Sequence, residues 1–145
     1  MIYVAEFEKV TNAPKDIKLP TRATEHSAGY DFFSPIDIDV KAGEYVTINT
    51  GVRCKIDEDW FLGIVPKSGL GFKYGMRLAN TFGVIDSDYY YSDNEGQIAV
   101  KFIADKDFHI NAGDKFCQGI FMKYGITVDD EASGIRNGGF GSTGK

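Results

Sequence analysis

Two carboxylates and an aromatic ring stand close together at the end of an apolar run, in the segment Gly83-Val84-Ile85-Asp86-Ser87-Asp88-Tyr89. Side chains alternate faces along a strand, so Asp86 and Asp88 would share one face and Tyr89 the other. A turn beginning at Tyr89 would instead bring Asp86 and Tyr89 together on one small ligand. The segment predicts a β-hairpin with a reactive carboxylate, Asp86, and a turn or tuning residue, Asp88. The alternative is an acidic hairpin tip in solvent.

A second polar motif, Pro66-Lys67-Ser68-Gly69-Leu70-Gly71, places a cation, a hydroxyl and two glycines after an apolar strand. Loops of this kind can direct successive backbone N–H groups at an anion. The spacing differs from that of a Walker P-loop. Taken alone, the motif is more typical of an ordinary polar loop than of a phosphate site.

The C-terminal segment from Arg136 to Gly144 surrounds a single aromatic ring with glycines and hydroxyls. Phe140 could stack on a ligand, and Arg136 could pair with phosphate. Ser142 and Thr143 could add hydrogen bonds. A Gly/Ser linker is the alternative, but such a linker needs neither the Phe nor the Arg. The segment therefore predicts a lid that becomes ordered on binding.

Single polar residues near apolar strands are weaker candidates. Asp31 stands at a strand end after Ala28-Gly29-Tyr30, and Gln118 interrupts an apolar face. A Gln in such a position is most often a satisfied core residue, although it could reach a ligand. His26 and His109 belong to no motif and are interpreted as structural.

The composition predicts one domain in a reducing compartment. A chain of 145 residues can bury roughly two thirds of its unfolded surface. The net charge of -5 argues against nucleic-acid binding, since no basic stripe is present. Cys54 and Cys117 lack the spacing of a zinc site and are expected to be reduced core residues. No secretion signal or membrane span is recognisable, which predicts a cytoplasmic protein.

Alternation of apolar residues predicts an all-β fold, either a sandwich, a barrel or a jelly roll, because no segment keeps a 3.6-residue period. One long strand is expected from Val46 to Ile56, with Gly51 as a possible bend. Residues 66–76 are expected to form a structured loop with about one helical turn. A core domain over 1–128 and a flexible arm over 129–145 complete the predicted organisation. Further strands are expected at residues 3–8, 28–33, 36–40, 60–65, 98–104 and 116–124.

These stretches resemble, in order, the five motifs of the trimeric deoxyuridine triphosphatase (dUTPase) family. The first three are Ala28-Gly29-Tyr30-Asp31, Pro66 to Leu70 and Gly83 to Tyr89; the fourth is Gly113-Asp114-Lys115-Phe116-Cys117-Gln118, and the fifth runs from Arg136 to Gly144. The resemblance implies a β jelly-roll subunit of a homotrimer, with sites built from several chains and closed by the C-terminal arm. It also implies Mg²⁺-dependent hydrolysis of dUTP to dUMP and pyrophosphate.

The resemblance further implies a role for each matching residue. Asp86 would activate the attacking water, Tyr89 would pack under the deoxyribose, and Asp31 would contact Mg²⁺ through bound water. The residues expected to contact the base are Asn80, Phe82, Gly83, Val84, Ile85 and Phe140. Those expected to contact phosphate are Lys67, Ser68, Gly69, Gln118, Arg136, Gly141, Ser142 and Thr143.

Three departures from the family pattern stand out. Lys67 replaces the usual Arg, so a bidentate phosphate contact becomes a point-charge contact. The connection from Tyr90 to Glu95 is longer than usual, and the fifth motif is one residue short after Arg136.

Two rival functions are consistent with parts of the sequence. A related dCTP deaminase would share the fold, but it would carry a deaminating Glu where this chain has the hydrolase pattern from Gly83 to Tyr89. A regulatory protein that switches between nucleotide and a protein partner would be expected to use the extension from Tyr90 to Glu95.

Overall fold

The structure, a computed structural model, describes residues 1–141. The predicted contacts of Ser142 and Thr143 lie outside these residues. The strands are β1 (Ala5–Lys9), β2 (Thr21–Arg22), β3 (Tyr30–Phe33), β4 (Ile38–Val40), β5 (Val46–Asn49), β6 (Val52–Ile56), β7 (Trp60–Pro66), β8 (Arg77–Leu78), β9 (Gly83–Ile85), β10 (Ala99–Ile103), β11 (Phe108–Ile110) and β12 (Lys115–Lys123). The helices are α1 (Ser68–Tyr74) and a 3₁₀ helix (Ser87–Tyr91). The all-β prediction is confirmed.

The strands form four sheets in which all the pairs are antiparallel. The largest sheet has the order β2-β3-β12-β7-β9, and a second has the order β5-β10-β8. The pairs β1-β6 and β4-β11 complete the fold. Within the described residues, β9 is an edge strand of the largest sheet, so one row of its backbone donors and acceptors faces away from the ladder.

Apolar side chains from these sheets meet in one continuous core. Phe32, Phe102 and Phe116 are among its largest fully buried members. Cys54 and Cys117 are buried in it as free thiols, which confirms their prediction as reduced core residues. No helix within residues 1–141 combines the length and the apolar character needed to cross a bilayer.

The predicted long strand from Val46 to Ile56 is two strands, β5 and β6. Gly51 separates them with a φ of +75°, a conformation that side chains other than glycine rarely adopt. β5 pairs with β10, whereas β6 pairs with β1. The alternation of apolar residues correctly indicated which side chains point inward on both sides of the break. It could not show that the chain passes from one sheet to another.

The loop predicted at residues 66–76 contains a two-turn helix, α1. Gly75 ends it in the left-handed conformation, with φ 69°, and donates its N–H to Gly71 O at 3.0 Å. Leu70 and Tyr74, one turn apart, are half-buried, whereas Phe72 is exposed. A helix of seven residues is too short to produce a recognisable 3.6-residue period.

The hairpin predicted at Gly83 to Tyr89 is wrong. Strand β9 ends at Ile85, and the 3₁₀ helix begins at Ser87. β9 pairs with β7, whereas the next strand, β10, pairs with β5 and β8. The curl buries the ring of Tyr89, which is 3% exposed, and burial of a large apolar side chain stabilises the fold by about 1.5–3 kcal/mol.

Candidate active site

Asp86 lies where β9 ends and the 3₁₀ helix begins. Its backbone is extended, with φ −76° and ψ 156°. Its carbonyl oxygen accepts the N–H of Tyr89 at 3.1 Å, and its side chain is 45% exposed. The backbone is thus fixed by the turn while the carboxylate stays open to a ligand.

Arg136 connects the C-terminal arm to both carboxylates of this turn. Nη2 donates to Asp86 Oδ2 at 2.7 Å, and Nε donates to Asp88 Oδ1 at 2.7 Å. Nη1 donates to the carbonyl oxygen of Gly138 at 3.2 Å. The sequence predicted Arg136 as a phosphate ligand and Asp88 as a turn or tuning residue. The structure adds an ion pair between them that the sequence did not suggest.

Tyr89 forms the buried wall beside Asp86. Its hydroxyl donates to the carbonyl oxygen of Gln97 and accepts from Asn94 Nδ2 at 2.9 Å. Burial raises the pKa of the Tyr89 hydroxyl, while the Asn94 hydrogen bond and the charge of Arg136 act in the opposite direction. With both partners satisfied, the ring is held in one orientation.

The arm crosses directly over the ring of Tyr89. A Cβ added to Gly139 would lie 2.7 Å from Cε1 of that ring, so only glycine fits. Phe140 meets the same ring edge to face, with centroids 5.7 Å apart and an angle of 85°. Phe140 keeps 59% of its surface exposed and can therefore contact a further planar group.

A cavity of about 200 Å³ lies between these groups. Only Gly139 among the residues around it was not a predicted site residue. The lining consists of Asn80, Phe82, Val84, Ile85, Asp86, Tyr89, Arg136, Gly139 and Phe140.

A second cavity, of about 510 Å³, adjoins the first. Asn80, Ile85 and Phe140 border both cavities. The predicted residues Gly83 and Gly141 line only the larger one. Its remaining walls come largely from β8 and β10, and they include Ala79 and Ala99, whose short side chains leave space. The two cavities together form a cleft with a carboxylate at one end and apolar walls at the other.

The other predicted polar residues lie on the central strands of the largest sheet. Gln118 of β12 pairs with Asp31 of β3 on one side and with Val65 of β7 on the other. The side chain of Asp31 is 16% exposed, and its Oδ2 lies 3.2 Å from Lys115 Nζ. Gly29 leaves space for the Gln118 amide, since a Cβ there would lie 2.1 Å from Oε1.

The motif that begins at Lys67 joins the same group. Lys67 N–H donates to Phe116 O at 3.2 Å, which ties the end of β7 to β12. Ser68 is exposed at the first position of α1, and Gly69 faces open space. We call one group of predicted site residues the phosphate half: Asp31, Lys67, Ser68, Gly69 and Gln118. We call the other group the acidic half: Asp86, Tyr89, Arg136 and Phe140.

The two halves occupy opposite ends of β7. Leu62 pairs with Ile85, so Asp86 lies beside the start of β7, whereas Pro66 at its end pairs with Cys117. The five-residue interval from Phe61 to Pro66 corresponds to about 17 Å of extended strand. The two halves of one chain therefore lie about the length of β7 apart.

The extension from Tyr90 to Glu95 is anchored to the core. The Tyr90 hydroxyl donates to Glu8 Oε1 at 2.8 Å, and the Arg53 guanidinium lies over the Tyr90 ring at 4.3 Å. Glu95 accepts the N–H of Thr11 at 3.2 Å. The extension packs on β1 and β6, and a regulatory partner at this place stays a prediction.

Sequence reasoning missed Asn94, Gly139 and Lys115 as supports of the site. Lys115 occupies a strand that runs beside Asp31, and the alternation of β12 could have indicated its position. Asn94 and Gly139 depend on the curl of the chain around Tyr89, for which the sequence carries no periodic signal.

Comparison with known proteins places the chain in a family. A family model described as dUTPase matches residues 15–144. The deoxyuridine 5'-triphosphate nucleotidohydrolase of Lactococcus lactis is 38% identical over 144 residues, which cover 95% of this chain and 96% of the relative. That of Haemophilus ducreyi is 40% identical over 141 residues, 90% of each chain.

Solved structures agree with the sequence relatives. The crystal structure of dUTPase from Streptococcus mutans matches with a TM-score of 0.76 and 34% identity, covering 86% of this chain and 98% of that chain. A dUTPase mutant from phage phi11 of S. aureus, whose structure concerns a structural Mg(II) ion, shares the fold at 17% identity, with a TM-score of 0.73 over 91% of this chain and 98% of that one. These relatives do not favour the deaminase alternative. The chain belongs to the dUTPase family.

Proposed function

We propose that this protein hydrolyses dUTP to dUMP and pyrophosphate, with Asp86 as the general base. The observation that supports the proposal most is the convergence of Asp86, Tyr89, Arg136 and Phe140 around one cavity. In a member of the dUTPase family, a carboxylate, a buried ring and a cation around one cavity suit the sugar and phosphates of a nucleotide.

The Asp86 carboxylate has the geometry of a general base that is oriented through one oxygen and can bind a water through the other. Arg136 donates a hydrogen bond to Asp86 Oδ2. Within residues 1–141, no hydrogen bond is made to Asp86 Oδ1. In the proposed reaction Asp86 accepts a proton from water, and the water oxygen forms a bond to the α-phosphorus. The bond from that phosphorus to the bridging oxygen breaks, and pyrophosphate leaves with the electron pair. General base catalysis of this kind contributes about 10²- to 10⁴-fold.

The base and sugar would be read along β9. An edge residue presents its N–H and C=O side by side, which complements a neighbouring acceptor and donor on the uracil edge. Cytosine reverses that pattern and would leave polar groups unpaired, a mismatch that can discriminate by about 10⁴-fold or more. The fixed ring of Tyr89 would pack under deoxyribose and leave little room for a 2'-hydroxyl. Phe140 would cover the base.

The triphosphate would be held by the phosphate half together with Arg136. Charge-assisted hydrogen bonds contribute about 1.5–3 kcal/mol each. Asp31 fits a Mg²⁺ ion that the phosphates chiefly hold, because such ions take one or two protein carboxylates and keep several waters. Its Oδ2 lies beside Lys115, which leaves Oδ1 for a bound water. When bound, Mg²⁺ would neutralise phosphate charge.

Assembly as a homotrimer is part of the proposal. The halves of one chain lie at opposite ends of β7, whereas a single nucleotide needs both. A second copy could supply the missing half, as symmetric oligomers commonly do. The reduced thiols of Cys54 and Cys117 support a cytoplasmic location.

The test is release of pyrophosphate from dUTP, dTTP, dCTP and UTP in the presence of Mg²⁺. We expect hydrolysis of dUTP at least about 10³-fold faster than of the others, because both base edge and sugar are discriminated. Release of ammonia from dCTP, or equal hydrolysis of dUTP and dTTP, would contradict the proposal.

A further inference from the structure

Asp88 lies beside the acidic half, and the proposed reaction gives it no role. Its carboxylate accepts from Arg136 Nε at 2.7 Å, while Asp86 accepts from Nη2 of the same guanidinium. The Arg136 side chain is 21% exposed, and the Asp88 side chain is 56% exposed. One cation is therefore shared between a proposed base and a second carboxylate.

When a nucleotide binds, the Arg136 guanidinium has one contact that a phosphate can replace and one contact that can remain. A phosphate group competes with Asp86 for Nη2, because both are anionic acceptors. Asp88 accepts from a different nitrogen, Nε, and need not be displaced. The guanidinium is rigid and planar, so holding Nε fixes the direction in which Nη1 and Nη2 point.

Other contacts of the arm lie close to this ion pair. Asn137 O accepts the N–H of Asp93 at 2.8 Å. Gly139 and Phe140 follow and lie on Tyr89. Arg136 is thus the first anchored residue of the arm, and the segment that covers the cavity starts directly after it.

We propose that Asp88 is a positioning residue that holds Arg136, and with it the arm, beside the cavity when Arg136 exchanges Asp86 for a phosphate. The proposal rests on the proposed function and adds a residue to that site. Asp88 keeps the arm close before substrate binds, so that less ordering is needed on closure.

Trypsin provides a test that needs no activity. Cleavage after Arg136 requires its side chain to enter the protease, so the ion pairs protect this bond. The rate of loss of residues 137–145 is followed by intact mass without nucleotide, with cleavage after the exposed Lys123 as internal reference. Asp88→Asn should accelerate cleavage after Arg136 about five-fold, the scale of one partly exposed ion pair.

Matched variants identify the cause. Asp93→Asn makes the same change just after the 3₁₀ helix that contains Asp88. The Asp93 side chain has no ion pair with Arg136, so this variant should be cleaved at the wild-type rate. Asp88→Glu keeps the charge and should recover part of the protection. Cleavage of Asp88→Asn at the wild-type rate, or equal acceleration by Asp93→Asn, would overturn the positioning role.

Kinetics separate positioning from chemistry. For Asp88→Asn we expect KM for dUTP to rise about five-fold with kcat changed less than about two-fold, because Asp86 and its water remain. A fall in kcat with unchanged KM would overturn the proposal by assigning Asp88 to the chemical step. If wild-type protein fails to hydrolyse dUTP, the proposed function is wrong while the trypsin result still decides whether Asp88 holds the arm.

Discussion

The acidic half and the phosphate half are built from different kinds of backbone. Asp31 and Gln118 stand on neighbouring strands whose register fixes their spacing. Asp86, Tyr89 and Arg136 stand at a strand end, in a 3₁₀ helix and in an arm without regular structure. The first group is positioned by a hydrogen-bonded ladder, the second by side-chain contacts with each other.

This difference indicates how each half can respond to a ligand. A residue in a central strand can move only with its sheet, so Asp31 and Gln118 are expected to be rigid. The arm is held at Asp86 and Asp88 by one Arg136 side chain and at Tyr89 by ring contacts. These few contacts can be exchanged for contacts with a nucleotide. We therefore expect closure to occur at the acidic half.

The largest effect is expected from Asp86→Asn. The amide keeps a similar shape but cannot accept a proton from water, so kcat should fall by about 10³-fold, within the range of general base catalysis. Nucleotide binding should change little, because the phosphate half is untouched. Pyrophosphate release gives kcat, and calorimetry gives the affinity. Asp93→Asn is the matched control; a kcat near that of the wild type in Asp86→Asn would contradict the assignment of the base.

Deletion of residues 135–145 should have the next largest effect. It removes Arg136 and Phe140, and the loss of even two charge-assisted contacts corresponds to about 10²-fold or more in kcat/KM. The melting temperature should stay close to that of the full chain, because none of the described residues 135–141 belongs to the buried core. Normal dUTP hydrolysis by the shortened chain would show that the arm is not a functional lid.

Mixing two inactive variants would show whether different chains contribute the two halves. Asp86→Asn inactivates the acidic half, and Gln118→Glu places a negative charge in the phosphate half, where it should repel the triphosphate. If every site joins halves from two copies, an equal co-refolded mixture should recover roughly a quarter of wild-type activity. If each site lies within one chain, the mixture stays as inactive as its components.

The comparison also explains which features the sequence could predict. Alternation at Ile48 and Cys54 indicated the buried face of β5 and β6, because a strand has the same period whichever sheet it joins. Gly51 indicated a bend, but the change of sheet there depends on distant partners, which the local pattern does not show. The pairing of Arg136 with Asp88 joins positions 48 residues apart through irregular backbone. Motif resemblance placed the residue types at the site, but not their contacts with each other.

The smallest effect is expected from Tyr89→Phe, which tests whether the acidic half is held by satisfied polar contacts. The change removes the hydroxyl that bonds Gln97 O and Asn94, so the free energy of unfolding should fall by about 1–3 kcal/mol at neutral pH. Folding raises the pKa of this hydroxyl above its ordinary value of 10.0, chiefly through burial. As the pH rises through that value, the unfolded chain loses the proton first, and the wild type should lose stability there. Tyr89→Phe lacks this proton, so its denaturant-measured stability should fall less steeply at alkaline pH. Parallel pH profiles for the two proteins would show that Tyr89 is not protected from ionisation in the folded site.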